Sequence, residues 1–273
     1  MSLPFLDPPS VAAAADALEA ALAAGLDPEA GPPRTIVPAG DGELLVMPAA
    51  FGPVAAVKLV TVGPAEPRVQ GICVVFDAAT LAPVALVDGI ALTNVRTAAV
   101  SLVAVRRLAV PGARRLVVFG RGPQAHAHAE ALGLAEVELL GRDDPRRDEL
   151  VAAADVICCC TTAREPLFDG SLVADHACVV AIGSHEPAAR ETDDRLAARA
   201  TVVVESRASA LREAGDVIGA IEAGVLAEGD LVTLSELVRG AEIPAGPRLF
   251  KSTGMAWEDA VVAGATLAAD GPP

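Results

Sequence analysis

The sequence predicts an α/β protein in which a mainly antiparallel α+β domain is followed by a doubly wound parallel sheet. Three observations support this prediction. The first half of the chain holds short β-type runs separated by Gly, Pro and Asp turns, the pattern of an antiparallel sheet. The second half alternates apolar strand-like runs with helical segments, as a parallel sheet covered by helices requires. Between them, Pro111-Gly112 breaks a helix and marks the expected domain boundary.

The first domain is predicted over residues 1–110, with 250–273 packing back on it. Ser10 can cap a helix that runs to about Ala24, and a later helix begins at Thr93 and ends near Val110. Five strands are predicted between these helices: Arg34–Val37, Glu43–Met47, Ala55–Val62, Gly71–Phe76 and Pro83–Asp88.

The second domain, predicted over 111–249, begins with a dinucleotide-binding turn. The apolar run Leu116–Phe119 leads into Gly120–Ala125 (GRGPQA) and then into an alanine-rich helix. Gly120 would allow the tight turn, Gly122 would let backbone amides approach a pyrophosphate, and Ala125 would let the helix pack closely on its strand. This order of strand, glycines and helix predicts a Rossmann-type sheet that binds phosphates at a helix N-terminus.

The rest of this domain continues the alternation. Strands are predicted at 114–119, 136–140, 155–160, 178–182 and 201–205, with helices at 123–132 and 146–153. A last helix, from about Met255, belongs to the segment that is expected to pack back on the first domain. The polar stretch Ser209–Glu213 with Asp216 is predicted to be a solvated helix.

The residues after the strand at 136–140 bear on cofactor choice. A carboxylate at this point holds the ribose 2′-OH of NAD, whereas arginine accommodates the 2′-phosphate of NADP. Gly141 stands where the acid would be, with Arg142 beside it and Arg121 inside the glycine turn. This favours NADP(H) over NAD(H), although a register shift would place Asp143 or Asp144 there and keeps NAD open.

Composition limits the partners. The chain has 273 residues, 52% of them hydrophobic, with a mean hydropathy of +0.46, which is enough apolar material for a real core. A net charge of −15, the absence of tyrosine and the single Trp257 argue against nucleic acid. No basic segment precedes an apolar one at the start, and no run suits a membrane span, so we expect a cytoplasmic protein that does not bind membranes.

Cysteine and histidine patterns predict no metal site. The five cysteines, three of them at Cys158–Cys160, lack the spacing of zinc ligands and are expected to be reduced and buried. His126 and His128 are two positions apart on one helix and therefore point to different faces.

Five motifs together resemble the ornithine cyclodeaminase/mu-crystallin family. In order they are Ala56–Val60 (AVKLV), Val87–Gly89 with Leu92–Ala99 (LTNVRTAA), Gly120–Ala125, Ile182–His185 (IGSH) and Lys251–Gly254 (KSTG). Their order and spacing, from about residue 32 to 265, make the resemblance specific. It implies a homodimer that pairs through the first domain, a nicotinamide cofactor on the second, and interconversion of α-amino and α-imino acids.

The resemblance also implies roles for individual residues. Arg34 and Arg96 lie at positions that bind the substrate carboxylate, a task that suits arginine's planar fork. From spacing alone Lys58 would more often reach solvent than be buried, but the resemblance makes it the group that polarises or protonates the imine nitrogen. His185 stands where cyclodeaminases carry an aspartate, and it can exchange protons near neutral pH. Met47 completes the predicted substrate-binding residues.

The predicted cofactor-binding residues lie on the glycine turn and at the ends of neighbouring elements. They are Thr93, Gly120, Arg121, Gly122, Pro123, Gln124, Arg142, Thr161, Thr162 and Ser184.

The sequence therefore predicts an NAD(P)H-dependent reductase of α-imino acids such as the cyclic ketimines pyrroline- or piperideine-2-carboxylate. Three alternatives stay open: an alanine-type amino-acid dehydrogenase, an ornithine cyclodeaminase, which His185 disfavours, and a non-enzymatic binding protein that depends on NADPH.

Overall fold

The computed structural model describes residues 3–141 and 143–270, without the side chain of Asp270. The chain forms two compact units. The first contains residues up to Val100 and those from Met255 onward, and the second is Ser101–Gly254. The first division thus falls inside a helix, before the Pro111-Gly112 break.

The elements of the first half of the chain are mainly strands. They are β1 (Phe5–Leu6), α1 (Val11–Ala23), β2 (Thr35–Ala39), β3 (Gly42–Phe51), β4 (Val54–Val62), β5 (Val69–Asp77), β6 (Pro83–Asp88) and α2 (Gly89–Leu108).

Strands and helices alternate in the second half. The elements are β7 (Arg115–Phe119), α3 (Pro123–Leu132), β8 (Glu136–Leu140), α4 (Arg147–Ala153), β9 (Val156–Cys159), β10 (Cys178–Ala181), α5 (Asp194–Ala197), β11 (Thr201–Val204), α6 (Arg207–Glu213), α7 (Gly215–Glu222), β12 (Val232–Thr233), α8 (Leu234–Val238), β13 (Arg248–Lys251) and α9 (Ala256–Asp270).

The sheet of the first unit is mixed, with the order β1-β6-β5-β4-β3-β2. Strands β2 to β6 pair antiparallel, while β1 pairs parallel to β6. Helix α9 packs on β3, β4 and β5 and against α1. Alternate residues therefore point towards α9, and β4 buries Val54, Ala56, Lys58 and Val60 on that face.

The opposite face of the same sheet, here called the outer face, is also apolar. Its side chains are half-buried and include Leu44, Val46, Val57, Leu59, Ile72 and Val74. Contiguous apolar patches on a protein surface often mark a site of interaction with another protein.

The sheet of the second unit is parallel throughout, with the order β12-β11-β13-β10-β9-β7-β8. The chain places β8 on one side of β7 and β9 on the other. The order of strands therefore reverses at β7 and β9, and ligands of such sheets bind beyond the carboxyl ends at this switch point. The predicted fold class is confirmed.

Local hydrogen bonds explain where two of the helices begin. The Ser10 side chain accepts a hydrogen bond from the Ala13 N–H at 3.3 Å, as a helix cap does. Helix α2 begins at Gly89 and not at Thr93, because the Asp88 carboxylate accepts the N–H groups of Ile90 and Ala91, each at 2.8 Å.

Residues 250–254 fall in the second unit, where β13, a strand that was not predicted, lies between β10 and β11; its four residues are too few for a periodic signal. One further prediction was wrong. The stretch predicted to be solvated forms α6 and α7, and Ser209, Glu213 and Asp216 are buried there. Polar partners compensate this burial: Ser209 Oγ lies 2.9 Å from Thr253 Oγ1, and Asp216 accepts the Glu191 N–H at 2.9 Å.

The five cysteines carry free thiols, as expected, and Cys160 alone among them is partly exposed. Burial raises the pKa of Cys158 and Cys159 well above the usual range, so both thiols stay protonated. Within the described residues, no group of three His, Cys, Asp or Glu side chains is placed to hold a metal ion. No helix in the same part of the chain is long and apolar enough to cross a membrane.

Candidate active site

Lys58 lies at the centre of the first unit, on the face of β4 that α9 covers. Its side chain is 1% exposed, contrary to the expectation from spacing alone. Lys58 Nζ donates to Asp259 Oδ1 at 2.8 Å and to Thr93 Oγ1 at 3.2 Å. Spacing could not predict this burial, because the acid that compensates the charge is 201 residues further along the chain.

Burial also sets the protonation of Lys58. Loss of hydration lowers its pKa from 10.5 to about 8, while the Asp259 carboxylate opposes this shift and the Arg96 charge reinforces it. The amine is therefore mostly protonated at neutral pH, yet close enough to neutrality to give up a proton.

Arg96, on α2, belongs to the same cluster. Its Nη1 lies 2.9 Å from Glu258 Oε2 and its Nε lies 3.5 Å from Asp259 Oδ1. Asp259 Oδ1 thus lies between the two cations. Within the part of the chain that the structure describes, the buried Oδ2 of Asp259 has no hydrogen-bond partner. Together these four side chains form a buried group of two cations and two carboxylates, here called the Lys58 cluster.

Met47 and Arg34 occupy different places in the sheet that holds the Lys58 cluster. Met47 is buried and pairs directly with Lys58 across β3 and β4. Arg34 is half-buried and precedes β2, whose first residue, Thr35, pairs with Val46. If this register is continued by one residue, Arg34 lies opposite Met47. Thr93, predicted on the cofactor side, contacts Lys58 instead.

Sequence reasoning missed Glu258 and Asp259. They stand in the first turn of α9, a helix that is apolar at most of its other positions, and this adjacent acidic pair was the available signal. A second signal was the count of lysines. Only Lys58 and Lys251 are lysines among 21 basic residues, and each is 1% exposed. Because arginine cannot be deprotonated in proteins, a lysine kept at a buried site can supply chemistry that arginine cannot.

The glycine turn of the second unit has the geometry that the motif predicts. Gly120 has φ +116°, and a Cβ there would lie 2.5 Å from the carbonyl oxygen of Cys160, so the turns after β7 and β9 touch. Gly122 is the N-cap of α3, Pro123 occupies its first turn, and Ala125 is buried against the sheet. The exposed N-terminus of α3 can therefore receive an anion.

Gly141 and Arg121 adjoin each other beside this turn. A Cβ at Gly141 would lie 3.6 Å from Arg121 Cζ, so the guanidinium lies over the end of β8. Arg142 lies outside the described residues. Asp144 is engaged by Arg146, whose backbone N–H and Nη2 lie 2.9 Å and 3.0 Å from its carboxylate, and these bonds lower the pKa of Asp144.

The remaining predicted residues follow β9 and β10. The Thr161 N–H and hydroxyl donate to the buried Glu191 at 2.9 Å and 2.8 Å, while Thr162 is exposed. Ser184 is buried and accepts the Glu186 N–H at 3.2 Å, and His185 beside it is exposed. These positions lie at the same carboxyl edge as the glycine turn, which is where a Rossmann-type sheet binds its cofactor.

Gln124 and the two histidines of α3 differ in exposure. His128 is buried, and its ring nitrogens lie 2.8 Å from the Gln124 carbonyl oxygen and 2.9 Å from Ser101 Oγ. Burial lowers its pKa to about 4. His126 is exposed, so the two point to different faces.

Comparison with known proteins agrees with this geometry. The model of the ornithine cyclodeaminase/mu-crystallin family matches residues 9–144 and 144–267. The ketimine reductase mu-crystallin of Mus musculus is 36% identical over 90% of this chain and 88% of its own length. The Δ1-pyrroline-2-carboxylate reductase of Bacillus cereus is 31% identical over 84% of this chain and 85% of its own.

Solved structures show the same fold. The Δ1-pyrroline-2-carboxylate reductase of Thermococcus litoralis, solved in complex with NADH and L-proline, superposes with a TM-score of 0.84 and 27% identity. The match covers 97% of this chain and 96% of that one. The resemblance predicted from the five motifs is confirmed: this chain belongs to the ornithine cyclodeaminase/mu-crystallin family.

Proposed function

We propose that this protein is an NAD(P)H-dependent reductase that converts α-imino acids, above all cyclic ketimines such as pyrroline-2-carboxylate, to α-amino acids. The relatives named above support an oxidoreductase that acts on imine C–N groups. The observation that carries the proposal is the Lys58 cluster, in which a buried amine of lowered pKa lies beside a buried guanidinium. Proton transfer to an imine nitrogen and recognition of the adjacent carboxylate need these two groups.

The reaction adds a hydride and a proton across the C=N bond. When bound, the reduced nicotinamide supplies the hydride to the carbon next to the carboxylate and is oxidised to NAD(P)⁺. Lys58 gives its proton to the imine nitrogen or holds it there by a hydrogen bond, and it regains a proton from solvent after turnover. Asp259 keeps Lys58 protonated, and its Oδ2 can accept an N–H of the product amine.

Arg96 and Arg34 are the proposed carboxylate-binding residues. Glu258 and Asp259 orient the Arg96 guanidinium, which fixes the plane in which it can meet a carboxylate. Met47, paired with Lys58, would contact the apolar ring of the substrate. We propose His185 as a second group that exchanges protons, supported by its position directly after Ser184 at the carboxyl edge.

We propose NADP(H) as the preferred cofactor. The support is the Arg121 guanidinium over Gly141, where NAD-binding sheets carry a carboxylate. The pyrophosphate would bind at Gly120, Gly122 and the α3 N-terminus through backbone N–H groups, with Pro123 and Gln124 in the first turn. Thr161, Thr162 and Ser184 would contact the cofactor further along the edge.

We also propose a homodimer that pairs through the outer face. Its apolar side chains would lose contact with water, and a second copy offers an equal apolar surface. Leu59→Arg on this face should give monomers by light scattering at micromolar concentration, whereas Ala79→Arg in the exposed turn between β5 and β6 should not. A dimer that survives Leu59→Arg unchanged would place the interface elsewhere.

The direct test is the loss of NADPH absorbance with purified protein and a panel of imino acids, with NADH in parallel. Turnover of pyrroline-2-carboxylate or piperideine-2-carboxylate is the expected result. A protein that binds cofactor but reduces no imino acid, and instead oxidises alanine or another amino acid, would contradict the proposed direction and substrate.

A further inference from the structure

A buried carboxylate, Glu191, joins the ends of two central strands of the parallel sheet. It belongs to the loop before α5 and is 0% exposed. One oxygen accepts the Thr161 N–H at 2.9 Å and the Thr161 hydroxyl at 2.8 Å, and the other accepts the Gly183 N–H at 2.7 Å. Thr161 follows β9 and Gly183 follows β10, so one side chain fixes the backbone at both carboxyl ends.

The space around this carboxylate is closed. A Cβ at Gly183 would collide with the Thr161 carbonyl oxygen and would lie 2.5 Å from Glu191 Oε1. The two loops therefore approach each other as closely as glycine allows, with the Glu191 carboxylate beside them.

Two further buried charges support Glu191. The Lys251 ammonium, at the end of β13, lies 3.2 Å from Asp216 Oδ2. Burial raises the pKa of Glu191 to about 7, and the positive charge of Lys251 and the hydrogen bonds from Gly183 and Thr161 oppose this rise and favour the ionised form. Asp216 in turn accepts the backbone N–H of Glu191 at 2.9 Å and of Thr192 at 2.7 Å. The carboxylate is thus held at its backbone and balanced by a cation, as a buried charge requires.

Glu191 and these two loops lie at the carboxyl edge of the sheet, where the cofactor is proposed to bind, and not at the amino edge. The loop after β9 carries Thr161, and the loop after β10 carries Gly183 and Ser184. The proposed function assigns Thr161 and Ser184 to cofactor binding. We infer that Glu191 is a positioning residue of the cofactor site, which sets the distance between the loops after β9 and β10 and so shapes the surface that the cofactor contacts. This inference rests on the proposed function for the identity of the ligand.

The chain offers a matched control at the opposite edge of the same sheet. Asp155, directly before β9, accepts the N–H groups of Arg114 and Arg115 at 2.8 Å and 2.9 Å and so joins β9 to β7 at their amino ends. Its chemical role resembles that of Glu191, but the amino edge binds no cofactor in such folds. Loss of either carboxylate should lower stability, and only loss of Glu191 should alter the cofactor site.

The experiment compares Glu191→Gln with Asp155→Asn in the whole 273-residue chain. A glutamine has one acceptor oxygen and an NH₂ group that would face a backbone N–H, so at least one of the two loops loses its bond. Dissociation constants for NADPH are measured by nicotinamide fluorescence, and Michaelis constants for cofactor and imino acid are measured separately. Melting temperatures report the loss of stability.

We expect Glu191→Gln to weaken NADPH binding about tenfold, the effect of one hydrogen bond to a charged group. Its Michaelis constant for the imino acid should change little, and Asp155→Asn should keep the wild-type dissociation constant while its melting temperature falls. If Glu191→Gln does not fold, Glu191→Asp, which keeps the charge but withdraws it by one methylene, takes its place with the same expectation.

Unchanged NADPH binding in the Glu191 variant, or equal weakening in Asp155→Asn, would overturn the inference. Because binding is measured without turnover, a protein that binds NADPH but reduces no imino acid would contradict the proposed function and leave the role of Glu191 testable. A wild-type protein that binds neither NADPH nor NADH would overturn both.

Discussion

The two units bury charge in different ways. In the first unit the buried ions pair side chain to side chain, as Lys58 and Arg96 do with Asp259 and Glu258. In the second unit the buried carboxylates mainly accept backbone N–H groups of loops, as Glu191 does from Thr161 and Gly183. The first arrangement places reactive groups on a strand and two helices, whereas the second fixes the shape of the main chain. Chemistry on an imine needs reactive side chains at fixed positions, and binding a long cofactor needs a main chain of fixed shape.

The comparison predicts that a charge change in the first unit mainly alters turnover. Lys58→Met keeps the volume of the side chain but removes the proton donor, and general acid–base catalysis contributes roughly 10²–10⁴-fold to rate. We expect kcat to fall by about that factor, with NADPH affinity unchanged by fluorescence titration. Circular dichroism must show a folded variant, because Asp259 loses its partner. Turnover close to wild type would remove Lys58 from the mechanism.

A change beside the glycine turn should instead alter cofactor choice. Gly141→Asp adds a carboxylate that can accept the ribose 2′-OH and that repels a 2′-phosphate, and its Cβ fits at 3.6 Å from Arg121. The ratio of kcat/KM for NADPH over NADH should fall by about 10–100-fold, the range for a hydrogen bond to a charged group. The surface variant Glu149→Ala, on α4, serves as the control and should keep the wild-type ratio. An unaltered ratio in Gly141→Asp would place the adenosine ribose elsewhere.

The Lys58 cluster should also set the pH dependence of reduction. Lys58 must be protonated to act, so its rate should fall as the pH rises through about 8. Asp259 raises the pKa of Lys58, and Asp259→Asn should therefore move this alkaline limb to lower pH by about one pH unit. Glu258 acts on Lys58 more weakly, and Glu258→Gln should give a smaller shift in the same direction. Equal shifts, or a limb that moves upward, would contradict the assignment of the limb to Lys58.

His185 should give the smallest effect. Its side chain is exposed, where water can exchange protons in its place, so His185→Ala should lower kcat by less than about tenfold, below the usual range for a positioned acid or base. Glu186→Ala, at the adjacent exposed position, controls for disturbance of the loop. A loss as large as that in the Lys58 variant would make His185 a principal proton donor.

The same contrast explains what the sequence could predict. The glycine turn, its flanking strands and helix α3 could be predicted because their signals are local. Gly120 and Gly122 indicate a turn, and residues 123–132 form a single helix. The Lys58 cluster could be predicted only in part. The resemblance identified Lys58 and Arg96, but not the acids of α9, which lie far along the chain. The burial of Ser209, Glu213 and Asp216 was not predicted. In a sequence, the polar residues of a surface helix look like those of a buried network until the fold brings their partners together.

The sequence analysis did not predict strand β13, for a related reason. Its four residues follow Gly246-Pro247 and carry too little periodicity to be told from a loop, although the strand lies between β10 and β11. The terminal residue of that strand, Lys251, was the second of only two lysines in the chain and could have been noticed on that count.

Transfer of deuterium from cofactor to product tests the central claim most directly. Pyrroline-2-carboxylate is incubated with the protein and NADPH deuterated at nicotinamide C4 on one face and then, separately, on the other. Mass spectrometry locates the label in the product. The proposed reaction predicts proline with one deuterium at the carbon next to the carboxylate from one of the two cofactors and none from the other. Proline without label from both cofactors, or no proline at all, would contradict hydride transfer to the ketimine.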